Sequence, residues 1–182
     1  MHVRPETPED AEAIREIHRA AFLSDVEPTL VDALRAHQAY VPELSLVAEE
    51  DGEVIGHVMF TRLGLAGWET DPLLLALAPV AVHPDRQLRG VGSRLIREGL
   101  ASAVALGFKG VAVVGAPEYY NRFGFVPGET LGVTCPFTVP EGVFGVVPLY
   151  AESLEGIQGT VAYPAPFEAV SVEPPRRISG RE

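Results

Sequence analysis

The chain has little of several residue types, and each shortage excludes a class of protein. Its only cysteine is Cys135, so no disulfide can form within the chain. Lysine and arginine number 14 against 25 acidic residues, and the net charge of -11 argues against binding the nucleic-acid backbone, which needs clustered cations. The five histidines are scattered, and no group of cysteine, histidine and acidic residues has the spacing of metal ligands. We therefore expect neither a nucleic-acid partner nor a bound metal.

Long apolar runs are also missing. The most apolar stretch, residues 71–82, is far shorter than the roughly 18 residues that a membrane-spanning helix needs. Residues 1–6 have neither the basic start nor the apolar stretch of a secretory signal. These observations predict a cytoplasmic protein with no membrane partner.

The chain does contain enough apolar residues to form a core. Its 182 residues are 47% hydrophobic, which is typical of one globular domain. We expect that domain to span residues 1–170. Residues 171–182 contain adjacent prolines, adjacent arginines and few apolar side chains, a composition typical of a flexible tail.

Two helices are predicted near the N-terminus. Thr7-Pro8-Glu9-Asp10 has the features of a helix start, namely a hydroxyl at the cap, a proline in the first turn and acids at the positive end of the dipole. Apolar residues at 14, 17, 21 and 22 then fall on one helical face. A second, shorter helix is expected to open at Pro28, and a turn is expected at Tyr40-Val41-Pro42.

Strand-like segments follow these helices. Residues 44–49 and 54–63 are joined across Asp51-Gly52, a dipeptide favoured in tight hairpin turns. Residues 73–82 are nearly all apolar, as expected for a strand that is covered on both faces. Pro79 lies within this segment and cannot donate a sheet hydrogen bond, so we expect a bulge there.

The rest of the chain alternates helix and strand. A helical pattern runs from Gly90 to Leu106, and Gly107 stands where a left-handed cap residue is expected. The segments beyond it are predicted as a strand, a short helix, the entry to a strand, and irregular strands rich in glycine and proline, at 111–114, 117–122, 123–126 and 128–167. This alternation predicts an α/β domain.

The most informative stretch is the turn that joins the apolar strand to the glycine-bearing helix. Gly90 and Gly92 let the backbone approach a ligand closely, and the first amides of the helix have no partner within it. Together with the positive end of the helix dipole, these amides suit a phosphate group. Further charge and a hydroxyl donor at the rim would come from Arg86, Arg89 and Ser93.

A glycine pair at a helix start is weak evidence by itself, because many such turns only cap or pack a helix. The turn has no third glycine of a dinucleotide-binding motif near Leu95. It also lacks the Gly-Lys-Ser/Thr of a Walker loop. Both nucleotide-binding alternatives are therefore disfavoured.

Two motifs in order make the pattern more specific. Gln87-x-x-Gly90-x-Gly92 after an apolar strand resembles the coenzyme-A motif of the GNAT superfamily of N-acetyltransferases. Residues 119–125, Tyr-Tyr-Asn-Arg-Phe-Gly-Phe, resemble that superfamily's Tyr-x-x-x-Gly-Phe signature. The resemblance covers residues 1–126, whereas 127–170 carry no recognisable motif. It implies a mixed central sheet of about six or seven strands with helices on both faces.

The resemblance also implies roles for particular residues, with acetyl-coenzyme A as the acyl donor. Its pyrophosphate would be held by the turn residues Gln87, Leu88, Arg89, Gly90, Val91, Gly92 and Ser93. Its pantetheine arm would pair with backbone at Val80, Ala81 and Val82. A strand amide near Val82 would polarise the thioester carbonyl. Tyr120 would be the general acid that protonates the departing thiolate.

The general base is left open by the sequence. Many members of the family carry a glutamate on the strand at 73–82, and this segment contains no acid. Glu27 and Glu118 are candidates, although both also fit a cap or surface carboxylate. His57 and His83 are weaker, because a lone histidine is more often structural or solvated. Water is a further candidate for carrying the proton away.

Two further residues bear on the mechanism. Val113 stands where the family often has an asparagine that bonds pantetheine, so we expect that contact to be absent or supplied elsewhere. Cys135 would be the nucleophile of an acyl-enzyme route, but a single cysteine with no nearby histidine in the sequence is more typical of a small packed residue. Direct transfer is the simpler mechanism.

We therefore expect an N-acetyltransferase that moves an acetyl group from acetyl-coenzyme A to an amine of a small molecule or peptide, by direct attack in a ternary complex. The alternative is a non-catalytic acyl-coenzyme-A binding or sensing module. The missing strand acid favours that alternative, whereas Tyr120 favours an enzyme, because a pure binder needs no proton donor at the sulfur. A homodimer is compatible with the family, but no feature of the sequence decides it.

Overall fold

Four α-helices and nine strands make up residues 1–169, the part of the chain that the computed structural model describes. The helices are α1 (Ala11–Phe22), α2 (Val26–Arg35), α3 (Val91–Ala105) and the short α4 (Pro117–Tyr120). The strands are β1 (His2–Pro5), β2 (Tyr40–Glu50), β3 (Glu53–Leu65), β4 (Leu74–Val82), β5 (Gly110–Val114), β6 (Val126–Pro127), β7 (Val133–Thr134), β8 (Phe144–Pro148) and β9 (Gly159–Ala162). The tail predicted at 171–182 lies outside the described residues. No helix in this part of the chain is long and apolar enough to cross a membrane.

The strands form one mixed sheet, as the sequence predicts. Its main path runs β1-β2-β3-β4-β5-β8-β6, while β9 pairs with the end of β3 and β7 pairs with β9. β4 and β5 are parallel, whereas the other neighbours along the main path pair antiparallel. The seven strands of this path agree with the expected number.

Helices cover both faces of the sheet, which confirms the predicted α/β architecture. α3 packs on one face, where its residue Leu95 joins Phe60 of β3 in a buried cluster. α1 and α2 pack on the other face, where Leu34 lies in a cluster with Val47 of β2 and Met59 of β3. Alternate side chains of β3 therefore point into two separate cores, as the two-residue period of a strand requires.

The start of α2 differs from the expectation. The helix begins at Val26, ahead of Pro28. The N–H groups in the first turn of a helix have no partner within it, so a proline in that turn, which has no N–H, costs no hydrogen bond. The turn expected at Tyr40-Val41-Pro42 is wrong, since these residues open β2. Pairing of β2 with β3 is irregular between Tyr40 and Ser45, and such a stretch tolerates a proline that cannot donate a ladder bond.

Two predicted turns are confirmed, and one predicted strand is mostly wrong. Asp51 and Gly52 both have positive φ, 53° and 82°, in the tight hairpin between β2 and β3. Gly107, with φ of 82°, follows the end of α3. The strand expected to enter at 123–126 is instead a 3-10 turn that ends at left-handed Gly124, so only Val126 of that segment joins the sheet.

The bulge predicted at Pro79 is present in β4. The register of β4 against β3 shifts between Val58 and Phe60, because Val58 pairs with Val80 whereas Phe60 pairs with Leu77. Ala78 and Pro79 of β4 thus lie opposite the single residue Met59 of β3, so β4 contains one extra residue. A bulge of this kind bends its strand and changes its direction relative to the neighbours.

The bend separates β4 from β5. These parallel strands pair at Leu74, Leu75 and Ala76 of β4, and no pairing between them continues beyond Ala76 in the described chain. We call the opening between residues 77–82 of β4 and 113–114 of β5 the fork. One edge of each strand faces the fork without a sheet partner, so backbone groups there are available to an extended ligand.

Candidate active site

The glycine turn follows β4 and opens α3. Gly90 is the N-cap residue of α3 with φ of 81°, a conformation that glycine adopts without strain. Leu88 also has a positive φ, 61°, and its side chain is fully exposed. The first turn of α3 contains no acidic residue, so its positive end is not offset by a carboxylate of its own. The turn therefore has the backbone of an anion site.

Some side chains around the turn make contacts within the protein, and others lie at its surface. The Gln87 side-chain amide donates to the carbonyl oxygen of Val82 at 3.1 Å, which ties the turn to the end of β4. Arg86 lies 3.7 Å from Glu50 and 3.9 Å from Glu53. Arg89 lines an adjacent hollow of about 290 Å³. Gln87 thus has a role in shaping the turn that its place in the motif did not reveal.

The three strand residues predicted to meet pantetheine lie on the β4 side of the fork. Val80, Ala81 and Val82 pair on their other edge with residues 56–58 of β3. Val80 and Val82 pack toward the α3 core, whereas Ala81 is buried beside His57. Their binding role remains a prediction, and its geometric requirement, an edge without a sheet partner, is met.

The tyrosine motif lies beside the glycine turn. A Cβ added at Gly92 would lie 3.1 Å from the Tyr119 hydroxyl oxygen, so the two sequence motifs meet at this point. The ring of Tyr120 packs edge-on against Tyr119 and Phe125, with ring centroids 5.0 and 5.7 Å apart. Burial raises the pKa of the Tyr120 phenol, with a further increase from Tyr119, so the hydroxyl stays protonated at neutral pH.

The candidate bases Glu27 and Glu118 and the candidate nucleophile Cys135 have different surroundings. Glu118 is exposed on α4. Glu27 lies in the first turn of α2, and its Oε2 is buried with no hydrogen-bond partner among residues 1–169. Cys135 is half-buried, and burial raises the pKa of its thiol, which disfavours the thiolate that an acyl-enzyme route requires.

Sequence reasoning missed a buried group of polar residues on the α1 and α2 face. His18 and His57 are fully buried, and His18 Nε2 lies 2.9 Å from His57 Nδ1. His57 Nε2 lies 2.9 Å from Ser45 Oγ and 3.4 Å from Glu6 Oε2. His57 therefore has a histidine neighbour that the sequence did not reveal. The available signal was weak: His18 follows Ile14 by one helical turn, and His57 lies within an apolar strand.

The described residues show no clustering of the kind that a metal requires. No three histidine, cysteine, aspartate or glutamate side chains within 1–169 are arranged to hold a metal ion.

Comparison with known proteins identifies the family. The Acetyltransferase (GNAT) family model matches residues 11–125. The uncharacterized N-acetyltransferase YjhQ of Escherichia coli K12 is 41% identical over 133 residues, covering 72% of this chain and 74% of YjhQ. The crystal structure of E. coli YhbS in complex with CoA has a TM-score of 0.85 and 34% identity, covering 92% of this chain and 91% of that chain. A GNAT family acetyltransferase from Brucella melitensis, in complex with acetyl-CoA, has a TM-score of 0.74 and 38% identity, covering 91% of this chain and 97% of that chain. The resemblance in the two sequence motifs is thereby confirmed, and the chain belongs to the GNAT family of acetyltransferases.

Proposed function

We propose that this chain transfers the acetyl group of acetyl-coenzyme A to an amine by direct attack in a ternary complex, with the fork and the glycine turn binding the donor. One observation carries the proposal: the two tyrosines connect the glycine turn to the fork, because Tyr119 lies at Gly92 in the first turn of α3 and Tyr120 lies at Gly115, directly after β5. The names of the relatives agree with acetyl transfer and disfavour a non-catalytic binding module.

The glycine turn suits the diphosphate of the donor. Amides of residues 88–93 point outward at the start of α3, where the helix dipole favours negative charge. Gly90 supplies the left-handed cap, and a Cβ added there would meet no atom within 4 Å, so space for a ligand lies beside it. Arg89 and Ser93 would contribute a charge and a hydroxyl donor. Gln87 supports the site by fixing the turn to Val82.

The fork suits the pantetheine arm. An extended amide chain that enters between β4 and β5 would hydrogen-bond the backbone of Val80, Ala81 and Val82 as an additional strand does. The bulge at Pro79 holds these residues away from β5, so the fold supplies the opening. An amide near Val82 would polarise the thioester carbonyl.

Tyr120 would complete the chemistry. The neutral amine nitrogen forms a bond to the acetyl carbonyl carbon, the carbon–sulfur bond breaks, and the nitrogen gives up one proton to water. Tyr120 donates its phenolic proton to the departing sulfur, and the raised pKa of Tyr120 keeps that proton available throughout the neutral range. The acceptor is an amine of a small molecule or peptide. The net charge of -11 favours the approach of a cationic one.

Two measurements test the proposal. Calorimetric titration with coenzyme A reports donor binding, and release of the free thiol in the presence of a panel of primary amines reports transfer. Replacing Tyr120 by phenylalanine is expected to lower turnover by about ten- to a thousandfold while the affinity for coenzyme A is retained.

Tyr150→Phe is the matched control, because Tyr150 is exposed and lies in the turn after β8. Equal turnover in the Tyr120 and Tyr150 variants would remove Tyr120 from its role. Absence of heat on titration with coenzyme A would contradict the proposed function as a whole.

A further inference from the structure

The arginines that have no acidic partner belong to the elements that meet at the glycine turn. Within residues 1–169, seven of the ten arginines form an ion pair with an aspartate or a glutamate. The other three are Arg89 in the turn, Arg97 on α3 and Arg122 in the tyrosine motif. In a chain with a net charge of -11, arginines left without an acid in one region favour an anionic ligand there.

Aromatic rings hold two of these three arginines. Arg122 Cζ lies 4.7 Å from the centroid of the Tyr119 ring, and Arg97 Cζ lies 5.2 Å from that of the Phe123 ring. The two rings pack edge to face, with centroids 5.5 Å apart. Because a guanidinium over a ring face is attracted to it, these contacts fix the Tyr119 ring and place positive charge beside it.

The Tyr119 side chain reaches from the end of β5 to the first turn of α3. A Cβ added at Gly92 would lie 3.1 Å from the Tyr119 hydroxyl oxygen and 3.5 Å from a methyl group of Val82. Val82 is the last residue of β4, so the hydroxyl lies near the ends of both strands that border the fork. A ligand that runs from the glycine turn into the fork therefore passes the Tyr119 hydroxyl.

This hydroxyl is available to a ligand. Within residues 1–169 it makes no hydrogen bond, whereas the Tyr40 hydroxyl, for comparison, donates to Glu6 at 2.8 Å. It is not enclosed either, because the buried side-chain polar atoms without a partner in this part of the chain belong to His18, Glu27, Thr61 and Ser153. The phenol is thus a donor that the rest of the described protein does not use.

The distance from the hydroxyl to the helix amide suits a shared acceptor. Gly92 is the second residue of α3, so its N–H has no partner within the helix. A Cβ lies about 2.5 Å from the nitrogen of its own residue, which places the Tyr119 oxygen at most about 5.6 Å from Gly92 N. One acceptor atom that takes ordinary hydrogen bonds from an amide and a hydroxyl, about 2.9 and 2.7 Å long, spans up to the same distance.

We propose that the Tyr119 hydroxyl and the Gly92 amide donate to one oxygen of the donor phosphate that carries pantetheine. This inference rests on the proposed function. Of the two phosphates of coenzyme A, this one lies nearer the fork, because the pantetheine that enters the fork is attached to it. Arg122 holds the phenol ring in place and adds a positive charge near the anion. Tyr119 thereby sets how far the donor reaches toward its neighbour Tyr120.

Tyr119→Phe removes the hydroxyl and keeps the ring. Calorimetric titration is expected to show an affinity for coenzyme A lowered by about tenfold or more, because the lost hydrogen bond goes to a charged group. Without ligand, urea denaturation is expected to give an unchanged free energy of unfolding, since the hydroxyl has no partner in the protein to lose. The additional stability conferred by coenzyme A is expected to be smaller in the variant.

Tyr150→Phe, which removes an exposed hydroxyl outside the site, is the matched control and is expected to match the unaltered protein in both measurements. A Tyr119→Phe protein that binds coenzyme A as tightly as the unaltered protein would overturn the inference. So would a loss of stability without ligand, because it would show that the hydroxyl bonds within the protein.

Two halves of coenzyme A show which phosphate is involved. 4′-Phosphopantetheine carries the phosphate next to pantetheine, whereas adenosine 3′,5′-bisphosphate carries the one next to adenosine. Each is titrated into the protein and followed by the amide resonances of residues 88–93. Tyr119→Phe is expected to weaken binding of the first probe and to leave that of the second unchanged. Equal losses for the two probes, or no loss for either, would contradict the assignment.

These measurements require no amine acceptor and no turnover. Absence of heat when coenzyme A is titrated into the unaltered protein would contradict the proposed function itself. Binding of coenzyme A that is equally tight in the unaltered protein and in Tyr119→Phe would leave the proposed function standing and remove only the role of Tyr119.

Discussion

At the scale of single residues, Tyr120 is positioned by packing rather than by hydrogen bonds. Its ring lies over Gly115, where a Cβ would come within 2.2 Å of a ring carbon, and it is held edge-on by Phe125 and Tyr119. Gly115 thus sets how closely the phenol approaches the end of β5. The motif reveals the tyrosine, but the glycine that seats it has no signature of its own.

Gly115→Ala is therefore expected to displace the Tyr120 ring and lower turnover by about tenfold or more, since misplacement of a catalytic group by an ångström is costly. The affinity for coenzyme A is expected to change little. Steady-state thiol release and calorimetry measure the two effects. Gly64→Ala is the control, because its added Cβ would meet atoms only at 3.5 Å. Equal activity of the two variants would contradict this role for Gly115.

At the scale of elements, α3 approaches the sheet more closely than ordinary side chains allow. A Cβ added at Gly99 would lie 2.2 Å from a ring carbon of Phe60 on β3, and one added at Gly56 would lie 3.0 Å from Leu95 and Val91. The helix α3 thus packs closely against β3 at two glycines, Gly99 on the helix and Gly56 on the strand. This contact fixes the direction in which the first amides of α3 point.

Gly99→Ala is expected to reduce the free energy of unfolding by about 1–3 kcal/mol, because overpacking forces the Phe60 ring or the helix to move. Helix propensity acts in the opposite sense, since alanine is favoured over glycine by about 1 kcal/mol. Urea denaturation measures the change. Phe60→Leu in the Gly99→Ala background is expected to recover part of the loss, and a Gly99→Ala protein as stable as the original would contradict the close contact.

Local signals allowed most elements and the glycine turn to be predicted. Asp51-Gly52, Pro79 and Gly107 each force a particular backbone geometry, so the hairpin, the bulge and the end of α3 follow from the sequence. The bond between His18 and His57 does not, because 39 residues separate them and only the packing of α1 on β3 brings them together. Nor does the position of β8 between β5 and β6, which depends on contacts made late in the chain.

At the scale of the whole molecule, we propose that residues 1–170 form a single domain. The cores on the two faces share one sheet, and residues of the C-terminal region contribute to both. Phe144 lies buried with Leu63 in one cluster, and Val147 lies in another with Phe60. A boundary at 126 would divide both clusters, although recognisable motifs end there. The C-terminal third thus belongs to the same folded unit as the motifs.

The buried pair His18 and His57 makes the stability of this unit sensitive to acid. His18 and His57 are neutral when folded and have a pKa of about 6.5 when unfolded, so below that pH only the unfolded chain gains their protons. The free energy of unfolding is expected to fall by up to about 1.4 kcal/mol per pH unit for each histidine. Glu6 adds to the loss below about pH 4.3, because its pKa is lowered in the folded state. The charged groups facing these rings, Arg35 and Asp10, remain ionised in this range.

Urea midpoints measured between pH 7.5 and pH 5 check this expectation. His57→Gln is expected to be less stable at pH 7.5 and to show a shallower dependence on pH, since one of the two histidines is removed. The exposed His2→Gln variant is expected to keep the full slope. A flat profile in the unaltered protein would show that the histidines titrate alike in the folded and unfolded chains.

The insertion of β8 between β5 and β6 also governs how the protein emerges from the ribosome. When the ribosome has released residues 11–125, the part matched by the family model, the edge of β5 still lacks its antiparallel neighbour β8. That neighbour can form only after residues 144–148 have also emerged. Such an open edge invites pairing with other chains. In the synthesis of this enzyme, the edge of β5 is therefore covered only after translation has passed the last recognisable motif and β8 has paired with it.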